Sequence, residues 1–118
     1  LPGMLEKGWG RIVAITSESW RAGVPMGIAA YAASKAGVVG FVRQLAAETG
    51  RKGITVNALS LGTMNNWEGS DKVARKSASV PRAGSPQDVG AAVTFLASPE
   101  AEWINGQLLP VNGGALVA

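Results

Sequence analysis

Tyr31 and Lys35 are the two side chains of this sequence whose types and spacing suggest chemistry. Standing four residues apart, they would share one face of a helix, a single turn from each other. An ammonium beside a phenol favours the phenolate and lowers a pKa that starts near ~10. A tyrosine so tuned can give a proton to a carbonyl oxygen or take one from an alcohol. Pairs of this kind are also common on amphipathic helices without any role, so the flanking sequence has to decide. Ser17, at the end of an apolar run, could hydrogen-bond the same oxygen, because parallel α/β sheets place ligands at the carboxyl ends of their strands. Little else is available. The 118 residues include no histidine and no cysteine, which removes the commonest general base, a thiol nucleophile, disulfides and the usual metal ligands. No metal site is expected.

The elements that must position these residues are legible from pattern. Ile12–Ile15, led by Gly10-Arg11, reads as a strand buried on both faces, as in a parallel sheet. After a loop with Gly23, Pro25 and Gly27, the stretch from Ala29 to Thr49 is Ala-rich, with Val38, Val39, Phe41, Val42, Leu45 and Ala46 at helical spacing. Gly50, followed by Arg51-Lys52-Gly53, reads as its stop, with cations near the negative end of the dipole. Ile54–Leu59 is a second strand, 60–69 a loop, and 70–79 a short polar helix. Ser85-Pro86-Gln87-Asp88 opens a further helix, with Ser as N-cap and Pro at its first position, running to Ser98 before Pro99. Leu108–Val111 is a third strand, and Asn112-Gly113-Gly114 turns out of it. Strands joined through helices imply parallel pairing and an α/β layer architecture.

Composition narrows the class. A chain of 118 residues, 47% hydrophobic, is one globular domain or part of one. Glycine, at 16 residues, has no collagen-like period. Uncharged runs such as 22–34 contain Gly and Pro and are too short to span a bilayer. Eleven basic against eight acidic residues give +3, with a pI near 9.7. The basic residues are scattered, so no nucleic-acid or membrane partner is expected. The start, Leu1-Pro2-Gly3, has no signal-peptide layout, and a cytoplasmic location is the default expectation.

Tyr31-Ala32-Ala33-Ser34-Lys35-Ala36-Gly37 resembles the Tyr-x-x-x-Lys segment of the classical short-chain dehydrogenases/reductases. The resemblance continues through Gly10-Arg11-Ile12-Val13 with Ser17, Gly53-Ile54-Thr55-Val56-Asn57, Pro81–Val89, Phe95–Ser98 with Ile104–Gln107, and Val111-Asn112-Gly113-Gly114. It covers almost the whole chain and is strongest toward the 3-oxoacyl-carrier-protein reductases. By resemblance, residues 1–118 match the carboxyl-terminal half of such a domain: part of a Rossmann-type parallel sheet of about three strands, with helices on both faces. The implied activity is reversible hydride transfer between NAD or NADP and a ketone or alcohol, an acyl-carrier substrate included. Tyr31 would be the general acid/base, Ser17 would steady the substrate oxygen, and Lys35 would lower the tyrosine pKa and bind the nicotinamide ribose. Backbone near Leu61, Gly62 and Met64 would hold the nicotinamide end.

The departures define the alternatives. No glycine set has the Thr-Gly-x-x-x-Gly-x-Gly or Gly-x-Gly-x-x-Gly spacing that offers backbone N–H groups to a pyrophosphate, and residues 1–8 look like the tail of the helix before the serine strand. Residues 18–30 separate Ser17 from Tyr31, one more than the family's usual number, and Thr16 and Ser19 are the fallbacks. Leu61-Gly62 replaces the family's Pro-Gly, freeing backbone that Pro would fix, and Met64-Asn65-Asn66 replaces an expected threonine. The lid at 63–79 is short, and its Trp67 reads as a packed aromatic rather than a substrate wall. Arg51 and Lys52 are read as surface cations, although they would also attract an acidic carrier. The small side chains of Ala32, Ala33, Ala36, Gly37 and Gly40 suit close approach of another helix, and the resemblance implies pairing through this helix, so a homo-oligomer is expected. Besides a reductase, the sequence admits an inactive fragment serving as an oligomeric structural module, and a half-enzyme completed by another chain.

Overall fold

In the computed structural model, which describes residues 1–117, three strands form one parallel sheet in the order β1-β2-β3. The elements are helix α1 (Pro2–Lys7), strand β1 (Gly10–Ser17), helix α2 (Ala29–Thr49), strand β2 (Ile54–Leu61), helices α3 (Ser70–Ser77) and α4 (Pro86–Ala97), and strand β3 (Leu108–Val111). Short 3-10 turns follow β1, α2 and α4. The core lies between α2 and one face of the sheet, where Val42 and Ala46 meet Ile54, Val56 and Ala58, with Ile12 and Ala14 alongside. The other face carries Arg11, whose guanidinium donates to the Ser98 carbonyl at the end of α4 (3.1 Å). Helices therefore cover both faces. Because the sheet grows in one direction while α2 and α4 lie on opposite faces, the two crossovers have opposite hand, and one of them departs from the common right-handed rule.

The central strand is β2, buried along nearly its whole length, whereas β1 is half-buried, with Ile15 41% exposed. The expectation that β1 is buried on both faces is therefore corrected. An apolar run reads alike on a central and an edge strand, and β1 has β2 on one side only. α2 stops at Thr49 with Gly50 as its C-cap, as expected, but the left-handed turn comes later. Gly50 stays right-handed, the chain winds on through Arg51 and Lys52, and Gly53 at φ 78° makes the left-handed turn. A side chain at Gly53 would also collide with the Gly8 carbonyl, so only glycine fits there. Trp67 is 47% exposed rather than packed. Among the described residues no helix is long and apolar enough to cross a membrane.

The start of α4 is built as its sequence indicates. Ser85 and Asp88 form a reciprocal capping box, and Arg82 adds two bonds to the Asp88 carboxylate at 2.7 and 3.0 Å. The Arg82 guanidinium, then the Ser85 N–H and hydroxyl, hold the Asp88 carboxyl well below the usual carboxylate range; Asp71 is lowered likewise by Arg75 and the Ala83 N–H. A depressed folded pKa gives stability that is fully present above the unfolded value near ~3.9 and is lost as pH falls toward the folded value. Urea midpoints are therefore expected to drop below about pH 4, and Asp88→Asn is expected to flatten that decline. At neutral pH, Ser85→Ala is expected to cost about 1 kcal/mol.

Candidate functional site

Ser17 ends β1 opposite Leu61, at the carboxyl edge of the sheet. Its Oγ accepts the Ser19 N–H (3.2 Å) and caps the 3-10 turn Glu18–Trp20. Of the fallbacks, Thr16 is buried, with its hydroxyl committed to the Lys35 carbonyl at 2.8 Å. The Ser19 Oγ is buried without a partner. Ser17 is thus the hydroxyl of the three that combines partial exposure with the strand end. The Thr16 bond also fixes a distance that matters, since it ties the residue beside Ser17 to the helix turn bearing Lys35.

Tyr31 lies in the first turn of α2 and is 47% exposed; the Lys35 ammonium stands 5.6 Å from the centre of its ring. Among the described residues Lys35 takes part in no ion pair. The spacing thus does what helical geometry requires: phenol and ammonium meet on one face, both available to a ligand. The loop after β2 is held from two sides. The Gly62 N–H donates to the Val111 carbonyl, and a side chain at Gly62 would run into Asn112. Thr63 and Asn65 clip to Gly84, leaving the N–H of Met64 turned away from that bridge and, among the described residues, without a backbone partner.

One cavity of about 570 Å³ opens on the α4 side between Thr63, Ala74, Gln87, Leu109 and Asn112, and another of about 570 Å³ lies beside Trp20, Arg43 and Gln107. Neither is lined by Ser17, Tyr31, Lys35, Leu61, Gly62 or Met64. Pattern reading missed the anchoring of the loop after Ser17. Trp20 Nε1 donates to the Ser60 hydroxyl (3.0 Å), and Glu18 accepts from both Arg21 and Asn112. No short-range signal marks a bond between residues 94 positions apart.

A family model described as enoyl-(acyl carrier protein) reductase matches residues 1–115. The 3-oxoacyl-[acyl-carrier-protein] reductase of Vibrio harveyi is 42% identical over 97% of this chain and 49% of its own length. A Brucella melitensis 3-oxoacyl-[acyl-carrier protein] reductase solved with NAD superposes with TM-score 0.91 at 33% identity, over 99% of this chain and 45% of that one. A Beutenbergia cavernae protein, provisionally assigned as an NAD(P)-dependent gluconate 5-dehydrogenase and solved with low-occupancy NADP, gives 0.89 at 37% identity, over 99% and 50%. The chain spans about half the length of the curated relatives it matches. Sequence match, superposition and the Tyr31–Lys35 geometry agree on one point: this chain belongs to the short-chain dehydrogenase/reductase family.

Proposed function

We propose that this chain carries the proton-transfer half of an NAD(P)-dependent ketone/alcohol reductase. The observation behind the reading is the Tyr31–Lys35 pair, with the ammonium 5.6 Å from the ring and the adjoining helix turn bonded to the strand that ends in Ser17. Tyr31 gives its phenolic proton to the substrate carbonyl oxygen on reduction and takes it back on oxidation. Ser17 hydrogen-bonds that oxygen and fixes its direction. Lys35, in no ion pair among the described residues, is free to bind ribose hydroxyls. The Met64 N–H, without a backbone partner among the described residues, suits a carboxamide acceptor, while Leu61 ends β2 and Gly62 opens the loop that follows. A bound NAD(P)H supplies the hydride. These residues fit the nicotinamide end of the cofactor; they do not fit the pyrophosphate, for which the sequence offers no glycine turn.

The working site therefore needs a dinucleotide-binding segment from outside these 118 residues, laid along the free edge of β1. Two observations support a larger assembly. The radius of gyration, 15.4 Å, exceeds the ~13.5 Å of a compact domain of this length. Large apolar side chains are also bare, among them Ile15, Phe41, Phe95 and Trp103 at 98%. Phe41 shares the exposed face of α2 with Gly37 and Gly40, where a side chain would meet nothing, which suits pairing of two copies through this helix. An acyl-carrier thioester is the substrate class the relatives suggest.

The second reading, an inactive oligomeric module, rests on the absence of Tyr31 and Lys35 from either cavity. Titration with NADH and NADPH, followed by tryptophan quenching, separates the two. The isolated chain is expected not to saturate below millimolar concentration. Addition of the amino-terminal half of a relative, such as the Vibrio harveyi reductase, is expected to bring binding into the micromolar range, together with ketone-dependent NAD(P)H oxidation. Formation of a mixed assembly with no turnover on any ketone or acyl-carrier substrate would favour the module.

A further inference from the structure

Three segments meet at the carboxyl edge of the sheet: the turn after β1 that begins at Ser17, the loop after β2 that begins at Gly62, and the turn after β3 that begins at Asn112. One side chain touches all three. Asn112 Nδ2 donates to Glu18 Oε1 and to the Leu116 carbonyl, both at 3.1 Å, and its Oδ1 accepts the Gly114 N–H at 2.9 Å. Its Cα and Cβ occupy the space that a side chain on Gly62 would need. Glu18 is equally committed. Its other oxygen accepts Arg21 Nε at 2.7 Å, and Arg21 reaches on to the Leu116 carbonyl. The Glu18 and Arg21 side chains are only 12% and 20% exposed. An ion pair this shielded adds little net stability but penalises every arrangement that breaks it, and so serves to select one geometry.

We propose that Glu18 and Asn112 form a latch that positions Ser17, making the segment 112–116 part of the candidate site although none of its side chains carries the chemistry. The need for it lies in the sequence. The thirteen residues between Ser17 and Tyr31 include Gly23, Pro25 and Gly27. A connection of that length has many conformations to choose from, and Ser17 adjoins its start. The Ser17 Oγ accepts the Ser19 N–H inside that turn, so the direction of the hydroxyl follows the turn, and the turn follows Glu18. Asn112 carries the same constraint to Gly62. The latch thus couples the hydroxyl that would steady a substrate oxygen to the loop that would hold the nicotinamide end. It rests on the proposed function only in assigning Ser17 and that loop their tasks.

Residue-resolved amide exchange on the full chain tests it without any need for turnover. Asn112→Asp sets a carboxylate against Glu18. It is expected to speed exchange about tenfold, as for loss of a bond to a charged group, at Arg21 and Ala22, whose N–H groups donate to the Glu18 carbonyl, and at Ser19. Glu18→Gln in the Asn112→Asp background restores an amide–carboxylate pair with its members exchanged, and most of the lost protection is expected to return. The amides of Val56 and Ala58 in β2 are the controls and should keep their wild-type rates. Acceleration confined to 113–116, failure of the exchanged pair to recover, or an equal rise at Val56 and Ala58 would each overturn the latch. In an assembly that turns over, Asn112→Asp is expected to lower kcat and, through the loop at Gly62, to raise the KM for NAD(P)H. If the exchange pattern appears and no activity is ever found, the latch stands and the reductase reading falls.

Discussion

Replacing Tyr31 with phenylalanine is expected to lower ketone turnover by about 10²- to 10⁴-fold in the completed assembly, the usual contribution of a positioned general acid/base. The size of the loss follows from what the chain has to offer. Without histidine or cysteine, and with no other tyrosine, no second group of suitable pKa stands ready to take over the proton. The substitution also isolates its target. The ring is half exposed in the first turn of α2, and among the described residues its hydroxyl holds no hydrogen bond that the fold would miss. The melting temperature and the affinity for NAD(P)H are therefore expected to stay near wild type, since Lys35 and the Met64 N–H remain. Steady-state rates with a ketone substrate, set beside cofactor titration of the same variant, check both halves of the expectation. A variant that turns over at the wild-type rate would remove Tyr31 from the chemistry.

Much of this arrangement is legible because its causes are local. The Tyr31–Lys35 meeting needs only helical spacing, and the start of α4 needs only Ser85, Pro86 and Asp88 in order. The β-α-β alternation implies the parallel sheet without any knowledge of which strands pair. What escapes pattern depends on neighbours. The run Ile12–Ile15 shows how apolar β1 is, but not that β2 lies on one side of it only. Gly50 ends α2 as its sequence indicates, but the left-handed turn falls on Gly53, whose backbone packs against Gly8. The Glu18–Asn112 bond joins opposite ends of the sequence. The site follows the same division: the residues that would do chemistry are named by type and spacing, while those that would hold them in place emerge only once the three strand ends are brought together.

Asn57 shows how much stability such non-local bonding holds, and Asn57→Leu is expected to cost about 2–4 kcal/mol. The residue sits in the middle of β2 and is 1% exposed, where a polar side chain is tolerated only if its hydrogen bonds are met. They are met by the backbone leading into β3: Asn57 Nδ2 donates to the Ile104 carbonyl at 2.9 Å, and its Oδ1 accepts the Gln107 N–H at 3.0 Å. Leucine is close in size and better suited to a core, so a stability account based on apolar burial alone predicts little change or a gain. The hydrogen-bond account predicts the reverse, because two backbone groups lose their partners at about 1–3 kcal/mol each. Asn105 cannot compensate, since its own amide is already spent on Val56 and Ala46. The loss should fall on the register that sets Leu108 beside Ala58 and Val111 beside Leu61, and β3 is the strand that delivers Asn112 to the site. Thermal melting is the direct check, with a decrease of about 10 °C expected for a chain of this size. A variant that melts with the wild type would show that water or a shifted backbone satisfies Ile104 and Gln107, and that β3 is held by its ladder with β2 alone.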